Sequence, residues 1–189
     1  VLIPPRPLPF DAAIHAMQVV GPAGELLYLT ALPADRTIMG LHGAQARVDR
    51  PFIAILGCAD MEAVLGFYAN TLGTPTIGAA PTIVKIINDS FELPDAHRIP
   101  LGIVKVSRDS LIEVDELPAP AGPRPSAVGE LPAGFAIVSF ECADLGALPV
   151  AWLQAPRALQ EAPYLGRRAG LARGAAGELI ELIELMESA

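Results

Sequence analysis

Apolar and polar positions along the chain fall into short runs that recur. Residues 177–185 read Gly-Glu-Leu-Ile-Glu-Leu-Ile-Glu-Leu; residues 24–30, Gly-Glu-Leu-Leu-Tyr-Leu-Thr, repeat them near the start, and residues 109–115, Asp-Ser-Leu-Ile-Glu-Val-Asp, repeat them more loosely in the middle. A second pair, residues 52–60 and 135–144, consists of apolar runs that both end in Cys-Ala-Asp, and each precedes one of the two later echoes. One small structural unit has been used more than once.

Taken in order, residues 1–10 hold Pro4, Pro5, Pro7 and Pro9, which predicts an extended segment poor in ladder hydrogen bonds. Residues 14–20 and 25–30 predict two strands joined by a Gly/Pro turn. Residues 31–50 form a polar connection in which His42 reads as a solvated loop residue. Residues 52–58 predict a buried strand. Asp60 is placed to cap a helix, Met61, Val64, Leu65, Tyr68 and Leu72 recur at helical spacing, and Gly73 is placed to end it. After a Pro-bounded connection over 75–81, three strands are predicted over 83–87, 102–107 and 111–117, the last two turning at Arg108-Asp109.

Residues 119–132, with Pro120, Pro123, Pro125 and Pro132, read as a linker. The unit restarts at Phe135. Asp144 offers a second cap, but Pro149 removes a backbone donor, so a kinked helix, or one beginning at Pro149, is expected. Asp144 and Glu181 lie 37 positions apart against 53 for Asp60 and Glu113, which reads as the loss of a strand and its loop. Glu178, Glu181, Glu184 and Glu187 at intervals of three also fit an amphipathic helix. The repeat and the preceding turn at 174–177 favour strand.

Composition narrows the classes of function. With 189 residues, 52% of them hydrophobic, the chain can bury a proper core. It has no apolar run near the length of a membrane span, and 1–7 lacks the apolar stretch of a signal peptide, so a cytoplasmic protein with no membrane partner is expected. The opening Val1 in place of an initiator Met is read as processing or truncation. A formal charge of −8 with no basic cluster beyond Arg167-Arg168 argues against nucleic acid. Cys58 and Cys142 fall at matching ends of predicted strands and read as small buried thiols; two cysteines build no zinc cage.

Strand, helix and three strands in tandem, with Asp60 to Gly73 reading Asp-x-x-x-x-x-x-Phe-Tyr-x-x-x-Leu-Gly and Gly177 to Leu182 reading Gly-x-Leu-Ile-Glu-Leu, resembles the vicinal oxygen chelate superfamily of glyoxalase I, the extradiol dioxygenases and the bleomycin resistance proteins. The resemblance implies an α+β fold of tandem βαβββ modules forming a curled mixed-sheet cradle, with an incomplete N-terminal module. Residues 1–50 would be the closing hairpin of that incomplete module plus a connection, 51–120 a complete module, and 121–189 a linker and a shortened second module. It also implies a divalent metal held by a first-strand residue and a last-strand Glu of each module. Ile53 and Ile137 stand where the first-strand ligand is often His, Glu113 and Glu181 occupy the glutamate positions, and Tyr28 stands there in the N-terminal hairpin.

The residues themselves leave two readings of the acids open. On a strand, each Glu shares a face with apolar neighbours, and a carboxylate there is costly unless paired, coordinated or protonated. Facing one cradle, Glu113 and Glu181 would approach and raise a pKa; at the rim, or paired with Arg108 or Arg173, they would do nothing chemical. Two Glu alone make a poor transition-metal site. His15 reads as a sheet-edge residue, His97 as a loop residue and Trp152, near the second helix, as core.

The expectation is therefore a glyoxalase/bleomycin-resistance-like protein binding a small organic molecule between modules, with Glu113, Glu181, Ile53 and Ile137 as pocket candidates. No cofactor or conventional metal centre is predicted. The alternative is a metal-dependent lyase, isomerase or ring-cleaving dioxygenase, with a divalent metal held partly by residues outside this chain. A structural or homodimerising role is the third reading, since an orphan hairpin leaves sheet edges to cover.

Overall fold

A computed structural model describes residues 1–8, 11–33, 44–106 and 110–186. His42, Arg108 and Asp109, for which loop and turn roles are expected, lie outside the described residues. The chain runs β1 (Ile3–Leu8), β2 (Asp11–Val20), β3 (Leu26–Ala31), β4 (Ile53–Cys58), α1 (Met61–Asn70), β5 (Thr76–Thr82), α2 (Lys85–Ser90), β6 (Ile99–Lys105), β7 (Leu111–Glu116), β8 (Ile137–Cys142), β9 (Trp152–Ala158), β10 (Arg168–Arg173) and β11 (Leu179–Glu184). These strands form three sheets, ordered β1-β2-β3, β4-β7-β6-β5 and β8-β11-β10-β9.

The repeat in sequence is a repeat in hydrogen bonding. In the two later sheets the first strand pairs parallel with the last, Ile55 opposite Glu113 and Ser139 opposite Glu181. The turns into β3 and β11 are copies. Gly21 and Gly174 donate to the carbonyls of Glu25 and Glu178 at 2.8 and 2.9 Å, those two Glu side chains accept from Ala23 and Ala176, and Gly24 and Gly177 take φ of 79° and 86°. A side chain at that positive φ would be strained, which explains glycine at both places. Tyr28 and Glu181 are therefore equivalent positions, and β1-β2-β3 matches the last three strands of a module. The C-terminal stretch is strand and not helix, because all six positions of β11 pair with β8.

Asp60 caps α1 as expected, its Oδ1 accepting from the Ala63 N–H at 2.9 Å, and Glu116 accepts from Met61 N. Val64 and Tyr68 of α1 then bury against Ile112 and Val114 of β7 and against Ile180 and Leu182 of β11. Each such side chain contributes roughly 1.5–3 kcal/mol. One helix thus serves two sheets, and the Tyr68 hydroxyl donates to Glu178 Oε1 at 3.1 Å.

The second helix is absent. Asp144 accepts from Gly146 N and Glu184 from Leu145 N, the counterparts of the α1 caps, but the chain makes only a turn before entering β9. Gly146 and Pro149 leave no room for a helix in that short span. The shortened module has lost its helix and kept all four strands, which corrects the expected loss of a strand. Trp152 is half-buried at the start of β9 and joins the core.

Residues 83–87 are not a strand. β5 lies earlier, across the prolines of 75–81, and Lys85–Ser90 is helical, with an Lys85–Asp89 ion pair at 2.7 Å. The outer strands β1, β5 and β9 all carry proline, which an edge strand tolerates because one row of its N–H groups needs no ladder partner. Cys58 and Cys142 are free and pack on the α1 side, and burial pushes the Cys58 thiol up to about 11.

Candidate functional site

Alternation along a strand decides where the acids point. Ile112 and Val114 face α1, so Glu113 and Asp115 face the other side of that sheet; Ile180 and Leu182 face α1, so Glu181 faces away on its own sheet. The two later sheets stand back to back across the helix. Glu113 and Glu181 are not brought together, because the faces that carry them point away from the core the modules share.

What Glu113 meets is the N-terminal sheet. Gln18 and Tyr28 are cross-strand partners on one face of β2-β3, and the charges of Glu113 and Asp115 act on the Tyr28 hydroxyl. Burial first, then those two acids, hold the Tyr28 pKa well above its ordinary value, while the Gln18 amide works in the opposite direction. Ile3 and Ile14 on this sheet and Ile99 on β6 are buried.

Two oxygens on these strands are buried and not satisfied. Asp115 is 2% exposed and Gln18 8%, yet Asp115 Oδ1 and Gln18 Oε1 have no hydrogen-bond partner. A buried oxygen without a partner costs about 1–3 kcal/mol. Among the described residues neither Glu113 nor Asp115 forms an ion pair. Burial raises the Glu113 pKa; burial, reinforced by Glu113, pushes Asp115 up to about 7.

Glu181 shows what satisfaction looks like at the equivalent place. Ser139 Oγ donates to Oε2 at 2.5 Å and the Tyr164 hydroxyl to Oε1 at 2.6 Å. Residues 159–167 lie across that face, and Arg167 pairs with Glu141 at 2.6 Å. Arg173, an expected partner for Glu181, instead donates to the Gly177 carbonyl.

Ile53 and Ile137 lie on the same faces as the two Glu, opposite Leu111 and Leu179 in register; Ile53 is half-buried and Ile137 exposed. Ile55 and Ser139 are the residues directly beside the acids. His15 is exposed on central strand β2, on the face opposite Gln18, and not at a sheet edge. His97 is a half-buried loop residue whose carbonyl accepts from Asn88. Gln18 and Asp115 were not singled out from sequence. The signal for Asp115 was an acid inside a strand two positions from Glu113; for Gln18 it was a polar residue between Met17 and Val19.

The donor set does not fit the metal centre that the resemblance implies. It offers carboxylates, an amide and a phenol with no imidazole, and Ile55 and Gly57 stand beside Glu113 and Asp115, whereas transition ions in such sites favour softer or imidazole ligands. Among the described residues no group of three or more His, Cys, Asp or Glu is disposed to hold an ion. An open groove of about 500 Å³, lined by Met61, Leu65, Ala69, Ala79 and Pro100 among others, lies on the helix side of the β4–β7 sheet, away from the unpaired acids.

Solved structures share this architecture. The chain is similar to a glyoxalase family protein from Bacillus cereus, at 18% identity over 76% of this chain and 99% of that one, with a TM-score of 0.56. The chain has a vicinal oxygen chelate-like fold. A mutant of glyoxalase I from Zea mays aligns at 15% identity and a TM-score of 0.57, over 96% of this chain but 58% of the maize one. A glyoxalase family protein from Enterococcus faecalis aligns at 14% identity over 71% of this chain and 97% of its own, with a TM-score of 0.50. No protein-family model and no curated protein sequence matches. Among the described residues no helix is long and apolar enough to cross a membrane.

Proposed function

We propose that this chain is a glyoxalase/bleomycin-resistance-like binding protein that holds a small organic molecule between β2-β3 and the β4–β7 sheet, without a conventional metal centre. The observation that carries this reading is the pair of buried, unpartnered oxygens on Asp115 and Gln18. A fold that keeps such atoms gives up stability that a ligand can restore, and polar groups converging in an apolar enclosure are how small-molecule sites gain specificity.

The test is a ligand-observed NMR screen of a fragment library against the protein and its Asp115→Asn and Gln18→Leu variants. Fragments that bind the parent and lose binding in both variants support the reading; a library whose hits are indifferent to both substitutions contradicts it. Asp115 also favours a second reading, since an acid whose pKa lies near 7 suits proton transfer. A lyase or isomerase would convert a bound fragment over hours in the same NMR samples, and a binder would return it unchanged.

A further inference from the structure

We propose that the molecule this cleft takes is a small organic cation, an amine or a guanidinium compound, held between Glu113, Asp115 and the Gln18 carbonyl oxygen. The inference rests on the binding reading above and names its ligand class. Glu113 and Asp115 project from the same face of β7, two residues apart, and their charges act on Tyr28, the cross-strand partner of Gln18. Two like charges there oppose each other's ionisation, and no cationic side chain among the described residues pairs with either.

The orphaned groups all accept. Gln18 Oε1 is an acceptor, and an ionised Asp115 Oδ1 is another. An ammonium has three N–H donors and a guanidinium five, each with the charge that relieves the acid pair, so one such ligand can satisfy the Gln18 and Asp115 oxygens at once. The Tyr28 ring at the same acids adds an aromatic neighbour of the kind cations favour. A neutral alcohol or amide would supply donors but leave two acids unpaired. A metal ion would need oxygens converging on one point, and no such group of acids exists among the described residues.

Isothermal titration of the full chain with benzylamine and agmatine, with benzyl alcohol as the neutral isostere of benzylamine, tests this. The expectation is that a cation binds at least about tenfold more tightly than benzyl alcohol, and that Asp115→Asn and Glu113→Gln each weaken it by about tenfold or more. Trp152 fluorescence checks that the variants fold. Equal affinity for benzylamine and benzyl alcohol, or cation binding unchanged in both variants, overturns the cation inference and leaves the cleft as a site for neutral molecules. Tight binding of Mg²⁺ or Ca²⁺ in place of the amines also overturns it. Absence of binding by any of these probes, together with no variant-sensitive hit in the fragment screen, overturns both readings.

Discussion

Tyr28 and Glu113 hold the same place in two copies of the repeated unit, and the charge of Glu113 helps burial to keep the Tyr28 hydroxyl protonated. The third copy of that position, Glu181, is bonded within its own module by Ser139 and Tyr164. Repetition supplied three similar positions; their surroundings made one pair a candidate site and left the third structural.

Asp115→Asn should stabilise the protein most at high pH. The folded pKa of Asp115 is raised from 3.8 to about 7, so the protonated acid is favoured by folding below 3.8 and that advantage is lost as pH rises through 7. Glu113 and Tyr28 are the titratable groups facing it. Asn cannot ionise, so the stability gap between variant and parent should widen by on the order of 3–4 kcal/mol between pH 4 and pH 8 in urea titrations. A gap that stays flat would mean the carboxyl is solvated.

Gln18→Leu removes a buried acceptor that lacks a partner. Replacing it with an apolar group of similar size relieves that oxygen but also removes the Gln18 hydrogen bond to Tyr28, so stability should change by no more than about 1 kcal/mol while fragment binding is abolished. A loss above about 2 kcal/mol in chemical denaturation would show that the amide holds the sheet together.

Tyr68→Phe cuts the side-chain hydrogen bond that α1 makes toward the far sheet, at Glu178. A cost of about 1 kcal/mol is expected, with ligand affinity in the cleft unaltered because Tyr68 lies on the opposite face of the β4–β7 sheet. Calorimetric melting of the variant beside a titration with benzylamine measures both.

Gly170 leaves room for an aromatic ring. A Cβ there would come within 2.7 Å of the Trp152 ring and 3.0 Å of Pro156. Gly170→Ala should cost about 1–3 kcal/mol and shift the emission of Trp152, the sole tryptophan of the chain. An unshifted spectrum at full stability would contradict the packing of β9 on β10.

Much of the architecture was legible because the repeat carries its own landmarks. The Gly-x-x-Gly-Glu turns, the Cys-Ala-Asp strand ends and the Asp60 cap each act through local chemistry, so sequence reports them directly. The outer strands were less legible. Pro81 and Pro156 break the apolar pattern and are allowed only by their edge positions, and an edge is a property of the sheet, not of the run. The second helix was misread for a related reason: Asp144 does cap a turn, but α1 of the preceding module already covers that sheet. Glu113 could be singled out from its position in the repeat. That it faces Tyr28 and not Glu181 depends on how three sheets stack, which no single stretch encodes.

The account rests on Asp115 being a buried acid without a partner, and the titration of its side-chain carboxyl by ¹³C NMR, assigned with Asp115→Asn, measures that directly. A midpoint near 7 in the free protein, falling when benzylamine is added, is the predicted result. A midpoint near the ordinary 3.8, unmoved by the amine, would contradict it.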